Sequence, residues 1–189
     1  WSQDRLAPMI RDTPILSGLI KSPRSRDSGN TTMHKSFAGG HITIGGSNSP
    51  ASLASRPIRL VMADEVDRYP LSAGTEGDPV TLARKRTTTF WNRKIILTST
   101  PTVKGVSRIE MEWEQSDQRR YHVPCPECKT KQTLKWANIQ WPENEPKKCH
   151  CVCEHCGSII EESSKPWMLK EGEWIATGIE GKTAGFHIN

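Results

Sequence analysis

Two carboxylates stand side by side at Asp64 and Glu65, directly after the apolar run Ile58–Met62 in "RPIRLVMADEVDRYP". Four of those five residues are apolar, which predicts a buried β-strand with both acids at its carboxyl end. Open parallel sheets bind ligands in the crevice at that end. The chemistry that needs an acidic pair there is nucleotide hydrolysis: Asp64 holds Mg²⁺ near the phosphates, usually through water, and Glu65 polarises the attacking water. A second apolar strand, "KIILTSTPT", ends in the hydroxyls of Ser99, Thr100 and Thr102. Such groups can sense a γ-phosphate by hydrogen bonding and pass its loss to a moving part. An isolated Asp-Glu more often closes a strand in a solvated turn, and a Ser/Thr stretch before Pro101 is an ordinary loop. Found together, one crossover helix apart, the two favour an ATPase core.

A second constellation lies further on. "CPEC" (Cys125, Cys128) and "CEHC" (Cys153, Cys156) are two C-x₂-C knuckles separated by 24 residues. Four thiolates at this spacing predict a closed tetrahedral Zn²⁺ site, structural rather than catalytic. Backbone N–H groups in each knuckle are expected to point at the sulfurs. Gly157 suits the turn after the second knuckle, and Lys129 after the first is less usual. Cys149, Cys151, His150 and His155 are rival ligands; only Cys153 and Cys156 reproduce the two-residue spacing. All six Cys fall between Cys125 and Cys156, which fits a metal site in a reducing compartment better than a disulfide framework.

The elements that must position these groups follow from punctuation and pattern. "DRLAPMIRDTPILSGLI" predicts one or two short helices interrupted by Pro8 and Pro14. "KSPRSRDSGNTTMHKSFAGG" reads as a loop or hairpin, "HITIGGSN" as a short strand and "SPASLASRP" as a loop. Asp78 and Pro79 are a helix start, since Asp caps well and Pro suits the first helical position; that helix is expected to reach about Trp91. "KIILTS" is the next buried strand, and "SRIE" at Ser107–Glu110 has capping-box spacing for a helix to about Asp117. This alternation predicts an α/β core with a parallel sheet. From Arg119 onward, strand-like "RRYHVP" and "QTLKW" flank the first knuckle, and "SSKPWMLKEG" closes as a short helix with Gly172 beyond it.

The predicted organisation is a partial P-loop NTPase-like (RecA/helicase-like) core over residues 1–118, a four-cysteine zinc ribbon over 119–162, and a connecting segment over 163–189. The phosphate-cradling pattern G-x-x-x-x-G-K-[ST] is absent upstream of the acidic strand, so the phosphate loop is expected before Trp1. "ATGIEGKTAG" imitates part of it at Gly181, Lys182 and Thr183, but Ala176 stands where its first Gly belongs; we read it as a decoy. Arg56, eight positions before Asp64, is a candidate contact for phosphate or DNA, or one half of a structural ion pair. Arg84, Lys85 and Arg86 point different ways on a helix and read as a solvated face. Trp136, Trp141, Trp167 and Trp174 are expected to pack the ribbon and its surroundings. Net charge is +5 and pI about 8.9, which mildly favours a polyanionic partner. No apolar run approaches the roughly 18 residues of a membrane helix.

Several long segments carry a family resemblance: "RDSGNTTMHKSF", "GGHITI", "LASRPIRLVMADEVDRYP", "GDPVTLARKRTTTFWNRKIILTSTPT", "SDQRRYHVPCPEC" and "CEHCG". Through them, nearly the whole chain resembles the ATPase region of the GpA-type large terminase subunit of tailed bacteriophages. The resemblance implies a motor that hydrolyses ATP to drive double-stranded DNA into a procapsid. It places Asp64 as the Mg²⁺-binding acid of a Walker B strand, Glu65 as the catalytic carboxylate, and Ser99 and Thr100 in the coupling motif. It also implies a homo-oligomeric ring in the host bacterial cytoplasm, acting with a small terminase subunit and the portal, with no membrane partner. A metal-dependent endonuclease domain is expected after Asn189, and ATP turnover is expected of the longer protein rather than of this piece. Two other readings compete. A helicase-like DNA-dependent ATPase also pairs an Asp-Glu strand with a Ser/Thr strand, and a non-enzymatic zinc-ribbon module would bind DNA or protein without turnover.

Overall fold

The computed structural model describes residues 2–20, 30–179, 181 and 183–188. The chain divides into two compact units, Trp1–Ser99 and Thr100–Asn189. The first opens with a wide helical turn, Ser2–Leu6, running into α1 (Ala7–Asp12), followed by α2 (Pro14–Leu19). Pro14 separates α1 from α2, while Pro8 sits in the first turn of α1. Strands β1 (His34–Phe37) and β2 (Gly40–Thr43) form an antiparallel hairpin. Residues 21–29, the front of the predicted loop, lie outside the described residues.

"SPASLASRP" is not a loop throughout: it forms α3 (Pro50–Ala54), whose N-cap Ser49 accepts a hydrogen bond from the Ser52 amide at 3.4 Å. The Ser-Pro signal is the same one that Asp78-Pro79 gives, but the Ser-rich composition masked it. Strand β3 (Leu60–Asp64) follows, then α4 (Pro79–Lys85), in which the Asp78 carboxylate accepts from the Thr81 amide at 2.7 Å. α4 ends at Lys85 rather than Trp91, since the run Thr87–Thr89 loses side-chain entropy in a helix and Thr87 and Thr88 hydroxyls turn back onto backbone carbonyls instead. Strand β4 (Lys94–Thr98) closes the unit.

β3 and β4 pair in parallel, with Asp64 opposite Thr98. They form a two-stranded sheet, and this corrects the expectation that both strands are buried. Met62 is 71% exposed, with Leu60 and Ile96 also exposed. Only Ala63 is buried in β3, because two strands alone cannot cover both of their faces. The buried residues of this unit include Leu6, Ile20 and Lys35 ahead of β3, and Val66, Ala73, Val80, Leu82 and Thr87 after it.

The second unit begins with α5 (Arg108–Glu114), capped by Ser107, whose hydroxyl accepts from the Glu110 amide at 3.1 Å. β5 (Arg119–Pro124) and β6 (Lys131–Gln132) flank the first knuckle. β7 (Ile139–Gln140), β8 (His150–Val152) and β9 (Ile159–Ile160) make a small antiparallel sheet. α6 (Lys165–Lys170) is followed by β10 (Glu173–Ala176) and β11 (Phe186–His187), which flank β5 antiparallel and parallel respectively. The core is Val123, Cys125, Cys153, Ile160 and Met168, with Tyr121, Leu134 and Cys151 packed against it.

Candidate active site and metal centre

At the carboxyl end of β3, the parallel register sets Asp64 beside Thr98. The Thr98 hydroxyl donates to Asp64 Oδ1 at 2.5 Å, and the Glu65 amide donates to the same oxygen at 3.1 Å. Both contacts orient the carboxylate and leave Oδ2 without a hydrogen-bond partner among the described residues. An exposed carboxylate oxygen fixed in this way suits Mg²⁺, which takes one or two carboxylates and completes its shell with water and phosphate oxygens.

Glu65 leaves the strand with φ +55° and ψ +43°. That left-handed conformation costs a non-glycine residue about 1 kcal/mol or more, and such outliers concentrate where function demands them. It ends the strand abruptly and starts a single 3₁₀ turn, Val66–Arg68, whose Val66 is fully buried. The side chain stays exposed and meets Arg68 Nε at 3.3 Å. Ser99 ties the turn to the neighbouring strand: its hydroxyl accepts from the Asp67 amide at 3.2 Å. The structure therefore brings Asp64, Glu65 and Ser99 together. Thr100 begins the other unit. Thr98 was missed in the sequence, although aligning the two five-residue apolar strands in parallel puts it opposite Asp64.

Arg56 is exposed and has no ion pair among the described residues. Arg84 and Arg86 are half-buried and Lys85 exposed. Of the decoy, Lys182 lies outside the described residues.

The four predicted thiols converge. The Sγ atoms of Cys125, Cys128, Cys153 and Cys156 all lie within 4.8 Å of one another. Cys125–Cys156 and Cys128–Cys153 are each 3.8 Å apart, the edge of a tetrahedron with Zn–S bonds of about 2.3 Å. The knuckles are near duplicates. Cys125 N donates to Thr130 O at 3.0 Å and Lys129 N to Cys125 O at 3.1 Å; Cys153 N donates to Ser158 O at 2.9 Å and Gly157 N to Cys153 O at 3.0 Å. Lys129 and Gly157 both adopt positive φ, +61° and +71°.

Amides of Glu127 and Cys128 point at Cys125, and those of His155 and Cys156 at Cys153. Burial opposes ionisation of Cys125, but the Ser158 hydroxyl and these amides outweigh it and lower its pKa. The Ser158 hydroxyl and backbone bring Cys156 down to about 6. Burial instead raises the pKa of Cys153 despite its two amides, so the thiolate form that zinc requires is favoured at Cys125 and Cys156. Cys151 is left out of the cluster, its pKa raised chiefly by burial; Cys149 is exposed and also outside it.

The tryptophans divide. Trp174 packs between Tyr121 and Phe186, with ring centroids 5.2 and 5.0 Å away. Trp136 is 78% exposed and meets Trp141 at 6.1 Å, contrary to the expectation that it packs the ribbon. The two-residue strand between them offers no second layer to cover it. Among the described residues, no helix is long and apolar enough to cross a membrane.

Comparison with known proteins gives a consistent result. A protein of Enterobacteria phage P21 named "Terminase, large subunit" is 29% identical over 184 residues, covering 93% of this chain and 28% of that protein. Its namesake from Escherichia phage lambda is 27% identical over 193 residues, covering 95% and 30%. The chain thus spans less than a third of the length of these curated relatives. No solved structure matches. The family described as "Phage terminase large subunit gpA, ATPase domain" matches residues 1–174. Coverage of that extent settles the family: this chain belongs to the gpA-type phage terminase large subunits, within their ATPase domain.

Proposed function

We propose that this chain is the acid-and-coupling portion of an ATP-hydrolysing motor that drives double-stranded DNA into a procapsid. In this reading residues 1–118 are part of a P-loop NTPase-like core, 119–162 a zinc ribbon, and 163–189 a segment leading toward an endonuclease domain. Small terminase subunit, portal and a ring of like subunits are the proposed partners.

The observation that carries the reading is the oriented Asp64 carboxylate, held by Thr98 across the parallel strands with Glu65 immediately beyond it. Asp64 would hold Mg²⁺, which when bound offsets the negative charge of the phosphates. Glu65, exposed and displaced from the strand line by its left-handed backbone, would align and polarise the attacking water. Ser99 would feel the change through its hydrogen bond to the turn that follows Glu65, and Thr100 would carry it into the next unit. Cys125, Cys128, Cys153 and Cys156 would hold a structural Zn²⁺ with no open coordination position.

The test is Glu65→Gln in the full-length protein, which keeps size and hydrogen bonding while removing the charge. ATP turnover is expected to fall by at least about 100-fold, the lower end for a positioned acid–base group, with ATP affinity retained. Unchanged turnover would remove Glu65 from the mechanism.

A further inference from the structure

The chain's positive charge is unevenly placed. Residues 1–99 hold 14 Lys and Arg against 8 Asp and Glu, a net of +6, whereas residues 100–189 hold 12 against 13, a net of −1. Within the first unit no acidic residue occurs between Ser28 and Ala63, nor between Pro79 and Ile109. These two acid-free stretches meet at the amino-terminal end of the β3–β4 sheet. Ile58 N donates to Arg86 O at 3.0 Å, and Lys94 N donates to Arg59 O at 3.0 Å. Arg59, Leu60, Asn92 and Lys94 line an open cavity of about 340 Å³ there. Arg56 lies two residues before Ile58, and Arg93 adjoins Lys94.

Arg56, Arg59, Arg93 and Lys94 are all exposed, and none has an ion pair among the described residues. By contrast, Lys131, Lys135 and Lys148 of the second unit pair with Glu173, Glu154 and Glu145. Beside the unneutralised group, Trp91 is 94% exposed, an unusual state for the largest apolar side chain. Like charges gathered without counter-charges repel one another, and the repulsion is relieved when a polyanion arrives. An aromatic face among them adds contact that does not depend on salt.

We propose that the amino-terminal end of the β3–β4 sheet, through Arg56, Arg59, Arg93, Lys94 and Trp91, docks the sugar–phosphate backbone of duplex DNA. The site lies at the opposite end of the strands from Asp64 and Glu65. Identifying the polyanion as duplex DNA rests on the motor reading above; the docking surface itself rests on charge and exposure. Contacts to phosphate position without reading sequence, which suits a substrate that must move through every register.

Each phosphate contact contributes about 0.9 to the slope of log affinity against log salt on B-form DNA. In the full-length protein, Arg59→Gln/Arg93→Gln/Lys94→Gln is expected to lower that slope by about 2 to 3. Arg93→Gln alone, outside any strand, is expected to lower it by about 1 and guards against misfolding of the triple variant. Trp91→Ala is expected to weaken binding several-fold at every salt concentration with the slope unchanged. Lys131→Gln/Lys135→Gln/Lys148→Gln removes equal charge from the other unit and is expected to leave the slope alone. An unaltered slope in both arginine variants, or an equal fall in the lysine control, overturns the proposal. ATP turnover without DNA is measured in parallel: its absence from the unsubstituted protein counts against the motor reading, and the salt slopes still decide the docking surface.

Discussion

At the scale of the residue, chemistry is set by which lone pairs are used and which are kept. Asp64 accepts two hydrogen bonds on one oxygen and presents the other. Each cysteine knuckle aims amides inward at sulfur. A four-thiolate site of this kind is expected to bind about one Zn²⁺ per chain, lost in Cys125→Ser/Cys128→Ser, as read by metal content after dialysis. Full retention of the metal in that variant would eliminate this ligand set. Cys spacing made the four-thiol cluster legible because two residues between thiols leave little choice of geometry. Thr98 was not legible, since its role depends on the register of another strand rather than on its own neighbours.

Among the elements, the starts of α4 and α5 were legible from their caps, the Ser49-Pro50 start of α3 and the end of α4 were not, and the strands announced by apolar runs were read too deeply into the core. β5 occupies the span of "RRYHVP", and α6 stops before Gly172. β3 and β4 have the composition of buried strands, but burial depends on what lies over a strand, which its own sequence does not encode. The junction of α5, β5 and β11 rests on Asp117, a residue with no motif around it. Its backbone joins Thr183, Thr177 and Gly178. One carboxylate oxygen accepts from the Gly185 amide at 3.0 Å and the other from Arg119 Nε at 2.8 Å. Burial alone would raise this carboxyl, but the Gly185 amide and Arg119 outweigh it, so its pKa lies below the usual 3.8. A depressed folded-state pKa stabilises above the unfolded value and loses that contribution as pH falls through the folded one. Melting temperature measured across acid pH is expected to fall more steeply below about pH 4 in the unaltered protein than in Asp117→Asn. Parallel curves would show that the contact is energetically silent.

For the whole molecule, the exposed faces of the two-stranded sheet predict behaviour in solution. Exposed apolar strands with open edges invite pairing with other chains. The isolated 189-residue chain is expected to bind a hydrophobic dye and to self-associate on concentration, by light scattering, and Met62→Glu to reduce both. A monomeric, dye-silent chain would mean that these faces are covered. The strands also fix a distance. From Leu60 to Asp64 they run about 13 Å at 3.3 Å per residue, longer than the roughly 8 Å over which charges are screened at physiological ionic strength. Two polyanions seated at opposite ends of this unit would therefore be nearly blind to each other through the surrounding electrolyte. In dilute buffer, where screening reaches about 30 Å, they would begin to interfere, so the apparent cross-talk between nucleotide and nucleic acid becomes a property of the medium as much as of the protein.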